Sequence, residues 1–355
     1  MDFTFSEDQF AFRDAVSRFL MTEAAPELLR DIWETESGRS DELLGKIAAQ
    51  GLTALSVPEA EGGLGQSDID WALLAQEVGY YALPDSLTDS ACVAVGVLAA
   101  LPAQHALRSA WLPRVADGSA RIGIGHPVNP WVADADLAEL LLLVEAGATT
   151  RLHALPRDQV QAHAQRSIDA SRRLVALEWS PQPATCIAEG PAAQAMADAM
   201  LDRAALCAAG QLVGLAQRML DLSVDYVSQR KQFGKVIGSF QAVKHHLADV
   251  VTKIEFAKPV LYRAALALQG DEPQRALYVS HAKLVCADAA LTAARKGIQV
   301  HGAMGYTGEV DLQMFMKRAW ALDGAWGDRA FHRQRLGAQL LDGDAPLGPG
   351  ATFNL

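Results

Sequence analysis

A mainly α-helical fold in three consecutive parts is predicted for this chain: an amino-terminal helical domain, a small middle β-domain and a carboxyl-terminal four-helix bundle. Three observations predict it. Across 191–341, Ala, Leu and Val recur at helix-core spacing with few breakers. Beyond Gly118 the texture changes to short Ile-, Leu- and Val-rich segments parted by turns rich in Pro, Gly, Asp and Ala. Ahead of Gly118, amphipathic stretches open on capping residues and close on glycine. The expected domains are therefore 1–118, 119–190 and 191–341, followed by an aperiodic tail at 342–355.

Each element has a local reason. Ser6 is placed to cap a helix over 6–21, with Asp8 and Gln9 in its first turn and Phe10, Val16, Phe19 and Leu20 as its apolar stripe. A second helix is expected over 41–50, stopped by Gly51. The stretch 52–57 reads as extended. A turn carrying Gly62, Gly63 and Gly65 then leads to a helix opened by Ser67 or Asp68, with Glu59 and Glu61 as solvated turn residues. Helical character restarts at Asp85 or Ser86 after Pro84 and continues through Leu112. In the middle part, 121–125, 139–145, 150–155 and 173–179 have strand composition, whereas 158–165 fits a strand or a helical turn. The bundle helices are expected near 191–228, 241–269, 274–301 and 310–341.

Composition argues against several classes of function. Half of the 355 residues are hydrophobic, enough for a large core. No uninterrupted apolar run reaches the roughly 18–20 residues of a membrane helix. The start, MDFTFSEDQF, is acidic and polar where a secretory signal is basic and then apolar, so a cytoplasmic protein is expected. A formal net charge of −11 argues against nucleic acid as the main ligand, although a polyanionic ligand needs only a local positive patch. Cys92, Cys186, Cys207 and Cys286 lack metal-ligand spacing and lie among apolar neighbours, which reads as buried thiols and no metal.

One stretch offers such a patch. RKQFGKVIGSFQAVKHHLAD, residues 230–249, lies between two helical segments, and Gly234 and Gly238 interrupt the periodicity, making it a tight connection between long helices. Arg230, Gln232, Phe233 and Gln241 put a cation, an aromatic face and two amides on that bend, a fitting for an anionic planar ligand. The residues alone equally allow a helix hairpin whose Arg and Gln cap helix ends. The pattern R-x-x-F-G-x-x-I-x-x-F-Q resembles that of acyl-CoA dehydrogenases, in which this corner holds the FAD of a neighbouring subunit. GIQVHGAMGYTGEVDLQMFMKRA, residues 297–319, resembles the family's Q-x-x-G-G-x-G-Y-T segment, and VPEAEGGLG at 57–65 resembles its turn before a helix. The resemblance implies FAD as cofactor and an acyl-CoA thioester as substrate. It implies FAD contacts from Arg230, Gln232, Phe233, Ile237, Gln241, Gln299, Gly302 and Gly305, with Arg230 on the pyrophosphate and Phe233 over the adenine or ribose.

In the family so resembled, a carboxylate removes the α-proton of the thioester while the β-hydride passes to flavin N5. Such a base works in a water-poor pocket that raises its pKa, and hydrogen bonds to the thioester carbonyl stabilise the enolate. At the usual glutamate position this sequence has Trp326; on a helix, Asp323 and Asp328 would point away from that face. Some relatives carry the base on the first long helix of the bundle, just before an arginine. That leaves Asp202, beside Arg203, as the candidate base, although an Asp–Arg step is most often a surface pair.

The middle part keeps a D-x-S-R-R-like turn at 169–173. It reads GIGHPVNPWVADADLAELLLL where the family has a T-E-P-x-x-G-S-D loop and a W-I-T-N strand, with no Thr or Ser at the place that bonds the flavin. These departures resemble the degenerate chain of heterotetrameric, steroid side-chain-type enzymes. They imply an unlike partner subunit in an α2β2 assembly, which supplies the glutamate. The alternatives are a self-sufficient homo-oligomer using Asp202 or another, unrecognised base, and a helical scaffold that has lost flavin.

Overall fold

The structure is a computed structural model that describes residues 4–35, 37–341, 343 and 348. Most of the expected tail, 342–355, lies outside the described residues. Ser6 caps α1, Glu7–Glu23: its hydroxyl accepts from the Gln9 amide at 3.2 Å and its own amide donates to the Gln9 side chain at 2.9 Å. α2, Pro26–Glu34, absent from the expected elements, turns Leu29 and Ile32 inward with half-buried Leu28 and Trp33 beside them, an amphipathic spacing the sequence does carry. α3 is Asp41–Ala49 and α4 is Asp68–Tyr80. Between them, 52–57 is not extended but a run of turns, with Ala54 N bonded to Gly51 O and Val57 N to Ala54 O. Nor is Glu61 a solvated turn residue: it pairs with Arg108 at 2.7 Å, both side chains 14% exposed. A π-helical stretch, Asp89–Ala94, runs into α5, Val95–Ala99, and α6 is Ala106–Ala116.

The strands form two sheets. β1 (Ile122–Gly125), β3 (Leu140–Glu145), β4 (Arg151–Pro156) and β7 (Cys186–Glu189) lie in the order β1-β3-β4-β7, with only the β1–β3 pair parallel. β2 (Trp131–Ala133), β6 (Leu174–Glu178) and β5 (Gln161–Gln165) make an antiparallel sheet in the order β2-β6-β5. The ambiguous stretch 158–165 thus resolves into a 3-10 turn at Arg157–Gln159 and a strand. Val132 and Val175 of one sheet share a core with Leu141, Leu143 and Leu155 of the other, each worth about 1.5–3 kcal/mol on burial.

Helices return with α7, Pro191–Gln229, α8, Gln241–Gln269, and α9, Arg275–His301. By length and composition α7 could cross a membrane, which the search for uninterrupted apolar runs overlooks; 89% of its apolar window is buried in the fold, as in a core helix. The expected last helix is two. α10, Leu312–Gly324, stops at a turn in which Trp326 (φ +56°) and Gly327 (φ +97°) are left-handed, and Asp328 then caps α11, Arg329–Leu340. Three of the cysteines are buried, whereas Cys186 is only half-buried.

Two compact units result. One gathers the described residues within Met1–Pro26, Asp68–Leu83 and Ala205–Leu355; the other is Glu27–Ser67 with Pro84–Ala204. In the first, α8 packs along α9, which also carries α10 and α11, around buried Ile254, Leu261, Ala290 and Phe315. The second holds the sheets and a buried charge cluster. Arg39 pairs in bidentate fashion with Asp134 (Nε–Oδ2 3.0 Å, Nη2–Oδ1 2.5 Å) and donates from Nη1 to the carbonyls of Gly38 and Ser171. Asp169 accepts from the amide and hydroxyl of Ser171, and Arg173 pairs with Asp136, so the D-x-S-R-R turn is a structural brace.

Asp89 joins this cluster as an additional carboxylate beside Asp85 and Asp134. Burial pushes its pKa up to about 7, opposed by Arg172 and reinforced by Asp134 and Asp85. The native state therefore favours protonated Asp89, whereas the unfolded chain ionises it near pH 4. This group's contribution falls as pH rises between those values, and the penalty is complete above about pH 7. Asp89→Asn is expected to match the wild type in acid and to melt several degrees higher at about pH 8. Melting curves across that range check it; a pH-independent difference would contradict the assignment.

Candidate functional site

The connection between α7 and α8 is a two-residue hairpin. β8, Lys231–Gln232, pairs with β9, Lys235–Val236, across Phe233 (φ +53°) and Gly234 (φ +78°), the left-handed pair of a tight hairpin turn. Ile237 N donates to Arg230 O at 2.8 Å and Arg230 N to Tyr226 O at 2.9 Å, closing the corner on the end of α7. Glycine adopts this conformation freely; for phenylalanine it costs on the order of 1 kcal/mol. The strained Phe233 side chain is 91% exposed, with its edge toward Phe240 at 6.2 Å. Arg230, Lys231, Lys235 and Lys244 are all exposed, and no carboxylate occurs in the sequence between Arg230 and Asp249. In a chain of net charge −11 this is a local positive surface built on a rigid turn.

The second motif sits beside it. Gln299 is exposed on the last turn of α9, and Gly302, with φ +61°, ends that helix and starts a 3-10 turn, Gly302–Tyr306, that buries Gly305. Tyr226 bridges the motifs: its ring stacks on His301 at 4.2 Å and its hydroxyl donates to His301 O at 3.3 Å. Burial lowers the His301 pKa against a hydrogen bond from its ring to Gly297 O. The sequence reading missed Tyr226 and His301, although Tyr226 stands one helical turn before Arg230. Lys296 adds a second link, donating to His246 Nδ1 of α8 at 2.9 Å.

The candidate carboxylates lie elsewhere. Asp202 belongs to α7, about 40 Å along the helix from the corner. It is 1% exposed, so the surface-pair reading of Asp202–Arg203 is wrong. Arg203 is also packed inward, its guanidinium 2.7 Å from where a side chain on Gly96 would begin. Trp326 is 3% exposed in the turn after α10. Asp328 is the α11 cap, accepting from Phe331 N at 2.8 Å, and Asp323 accepts from Arg329 at 3.1 Å, so both flank that turn in structural roles.

The descriptions "Acyl-CoA dehydrogenase, N-terminal domain" and "Acyl-CoA dehydrogenase, C-terminal domain" match residues 6–119 and 193–341. The acyl-CoA dehydrogenase IpdE2 of Mycobacterium tuberculosis is 32% identical over 315 residues, 88% of this chain and 91% of that protein. The chain belongs to the acyl-CoA dehydrogenase family. This is a family of oxidoreductases acting on CH–CH bonds. Its fold is shared with the ChsE4–ChsE5 complex of Mycobacterium tuberculosis (20% identity, TM-score 0.86, covering 98% of this chain and 100% of that one). A steroid ACAD variant is similar in fold too (22%, TM-score 0.84, 96% and 99%).

FAD is typical of acyl-CoA dehydrogenases, and this chain fits it unevenly. The corner, which carries four exposed cations and an exposed aromatic ring, suits a pyrophosphate and a flanking base or sugar. The loop between β1 and β2 does not offer the expected hydroxyl. It is short and bonds to itself: Val128 N donates to His126 Nδ1 at 3.1 Å, and the Asn129 side chain to Trp131 O at 3.1 Å.

Proposed function

We propose that this chain completes the FAD site of an unlike acyl-CoA dehydrogenase subunit, and that the partner supplies the catalytic glutamate. The observation that carries the reading is Phe233, held in a costly backbone conformation with its ring in solvent, on a turn whose flanking residues Arg230, Lys231 and Lys235 are exposed cations. A strained and exposed aromatic is expected where a second molecule covers it. In the assembly Arg230 binds the pyrophosphate, Phe233 covers the adenine or ribose, and Ile237, Gln232, Gln241, Gln299, Gly302 and Gly305 complete the cradle. FAD, where bound, supplies the hydride acceptor for α,β-dehydrogenation of an acyl-CoA.

Further support comes from the outer face of α8. Phe256, 71% exposed, lines an apolar groove shared with Leu284 and Val285 of α9, a surface suited to subunit contact. The two-chain ChsE4–ChsE5 complex and the steroid ACAD among the fold relatives favour an α2β2 assembly acting on a bulky, steroid-derived acyl-CoA.

Co-purification tests this. The chain expressed alone is expected to be colourless, and to join a yellow, active complex with its partner. In that complex Arg230→Ala should weaken FAD affinity about ten- to hundredfold, and so lower flavin occupancy, by removing a charge-assisted contact of roughly 1.5–3 kcal/mol. Full occupancy in the variant would count against the cradle. A yellow, active homo-oligomer would instead favour the self-sufficient reading, for which the burial of Asp202 supplies the water-poor carboxylate.

A further inference from the structure

A recess of about 200 Å³ opens in the first unit between α1, α4, α7 and α8, sharing no residue with the Phe233 corner. Its apolar side is Leu73, Val213 and Gly214. Polar groups from α1 and α8 line it with capacity unspent. Arg13 gives Nε and Nη2 to Asp14 at 3.0 and 2.6 Å, and Lys258 gives one proton to Glu255 at 2.5 Å. Among the described residues, Arg13 Nη1 and the other Lys258 protons have no acceptor. Tyr262 Oη only accepts, from Gln76 Nε2 at 3.4 Å, so its own proton is also available. Glu77 of α4 also lines the recess. Burial raises its pKa, against a Ser17 hydrogen bond and the charge of Arg13, so it cancels the cations less than an ordinary carboxylate would.

We propose that this recess binds a small organic carboxylate. Two cations, from α1 and α8, and a phenol proton are donors that a carboxylate satisfies. The Leu73–Val213 side accepts a short methylene segment. The volume equals about six or seven waters at liquid density, which suits a dicarboxylate of the size of succinate. The ligand draws α1, α4 and α8 together over α7, so its effect is to stiffen this unit. None of this depends on the flavin reading, because neither the corner nor a partner subunit takes part.

Isothermal titration of the purified chain with succinate tests it. Saturable binding is expected, weakened about tenfold in both Arg13→Gln and Tyr262→Phe. The second variant keeps its ring edge on Phe5 at 4.8 Å and so guards against a folding artefact. Lys253→Gln, on the same helix but outside the recess, should bind like the wild type. Absence of binding to the folded wild type, or affinity that survives both substitutions, would overturn the proposal. Inorganic phosphate binding as tightly, with the same dependence on Arg13, would overturn the carboxylate assignment.

Discussion

Replacing Lys283 with methionine is expected to destabilise the protein by about 3–5 kcal/mol and lower Tm on the order of 5–10 °C. Lys283 is 2% exposed on α9, and its ammonium donates to three carbonyls: Leu322 at 3.0 Å, Asp323 at 2.9 Å and Gly327 at 3.3 Å. Two of these belong to the last turn of α10, where carbonyls have no helical partner and the helix dipole favours a cation. Methionine fills the volume but leaves the carbonyls buried and unpaired, so desolvation decides the sign. The loss should spread to the Trp326 turn. His332 holds that turn from the other side, Nε2 donating to Trp326 O at 3.0 Å and Nδ1 accepting from Ser280 at 3.1 Å, an assignment that requires the neutral ring.

Burial and then the charge of Lys283 lower the His332 pKa to about 4. Its stabilising contribution is thus present above its unfolded value near 6.5 and is lost as pH falls toward 4. Without Lys283 that acid limb should move to higher pKa, a second readout of the same contact. Lys253→Met, which removes an exposed pair with Asp288, should change stability by less than about 1 kcal/mol. Thermal melting of the two variants checks both expectations, and a similar effect for each would rule out the buried-cap account.

The same lysine illustrates what a sequence hides. Hydrophobic periodicity places helices well because apolar residues report the buried face, and the Ser6 cap and the 230–249 corner carry local chemistry that needs no tertiary context. A buried charge reverses the rule. Lys283 and Arg39 carry no local sign of burial because their partners, the α10 carbonyls and Asp134, are distant in the chain, and Asp202, read as half of a surface pair, is buried as well. The break between α10 and α11 is readable in the sequence, since Gly327 followed by Asp328 is a helix stop and a cap. The tight bend at 230–238 was legible from Gly234 and Gly238, but not what braces it. The Tyr226–His301 stack joins positions far apart in the chain, and nothing local announces it.

The opposite outcome from a mild substitution is expected at Gly214. In helix interiors Gly→Ala ordinarily stabilises by about 0.5–1 kcal/mol, because glycine loses more backbone freedom on folding. At Gly337 of α11, where a new Cβ meets nothing within 4 Å, Ala should follow that rule. Gly214 is different because α4 crosses α7 there. A Cβ would lie 1.8 Å from Gln76 O and 2.7 Å from Tyr80 N, both backbone atoms that no side-chain rotation can remove. The same crossing places a Gly79 Cβ 2.1 Å from Gln211 O, so the two helices touch backbone to backbone from both sides. Relief requires α4 to move off α7 by more than 1 Å, opening the packing around buried Leu73, Leu212 and Val213. Strain then outweighs propensity, and Gly214→Ala should lose about 3 kcal/mol or more. Urea unfolding of the two alanine variants beside the wild type makes the comparison internal: Gly337→Ala rises and Gly214→Ala falls. Equal small gains in both would mean that the α4–α7 crossing is wider than these contacts require.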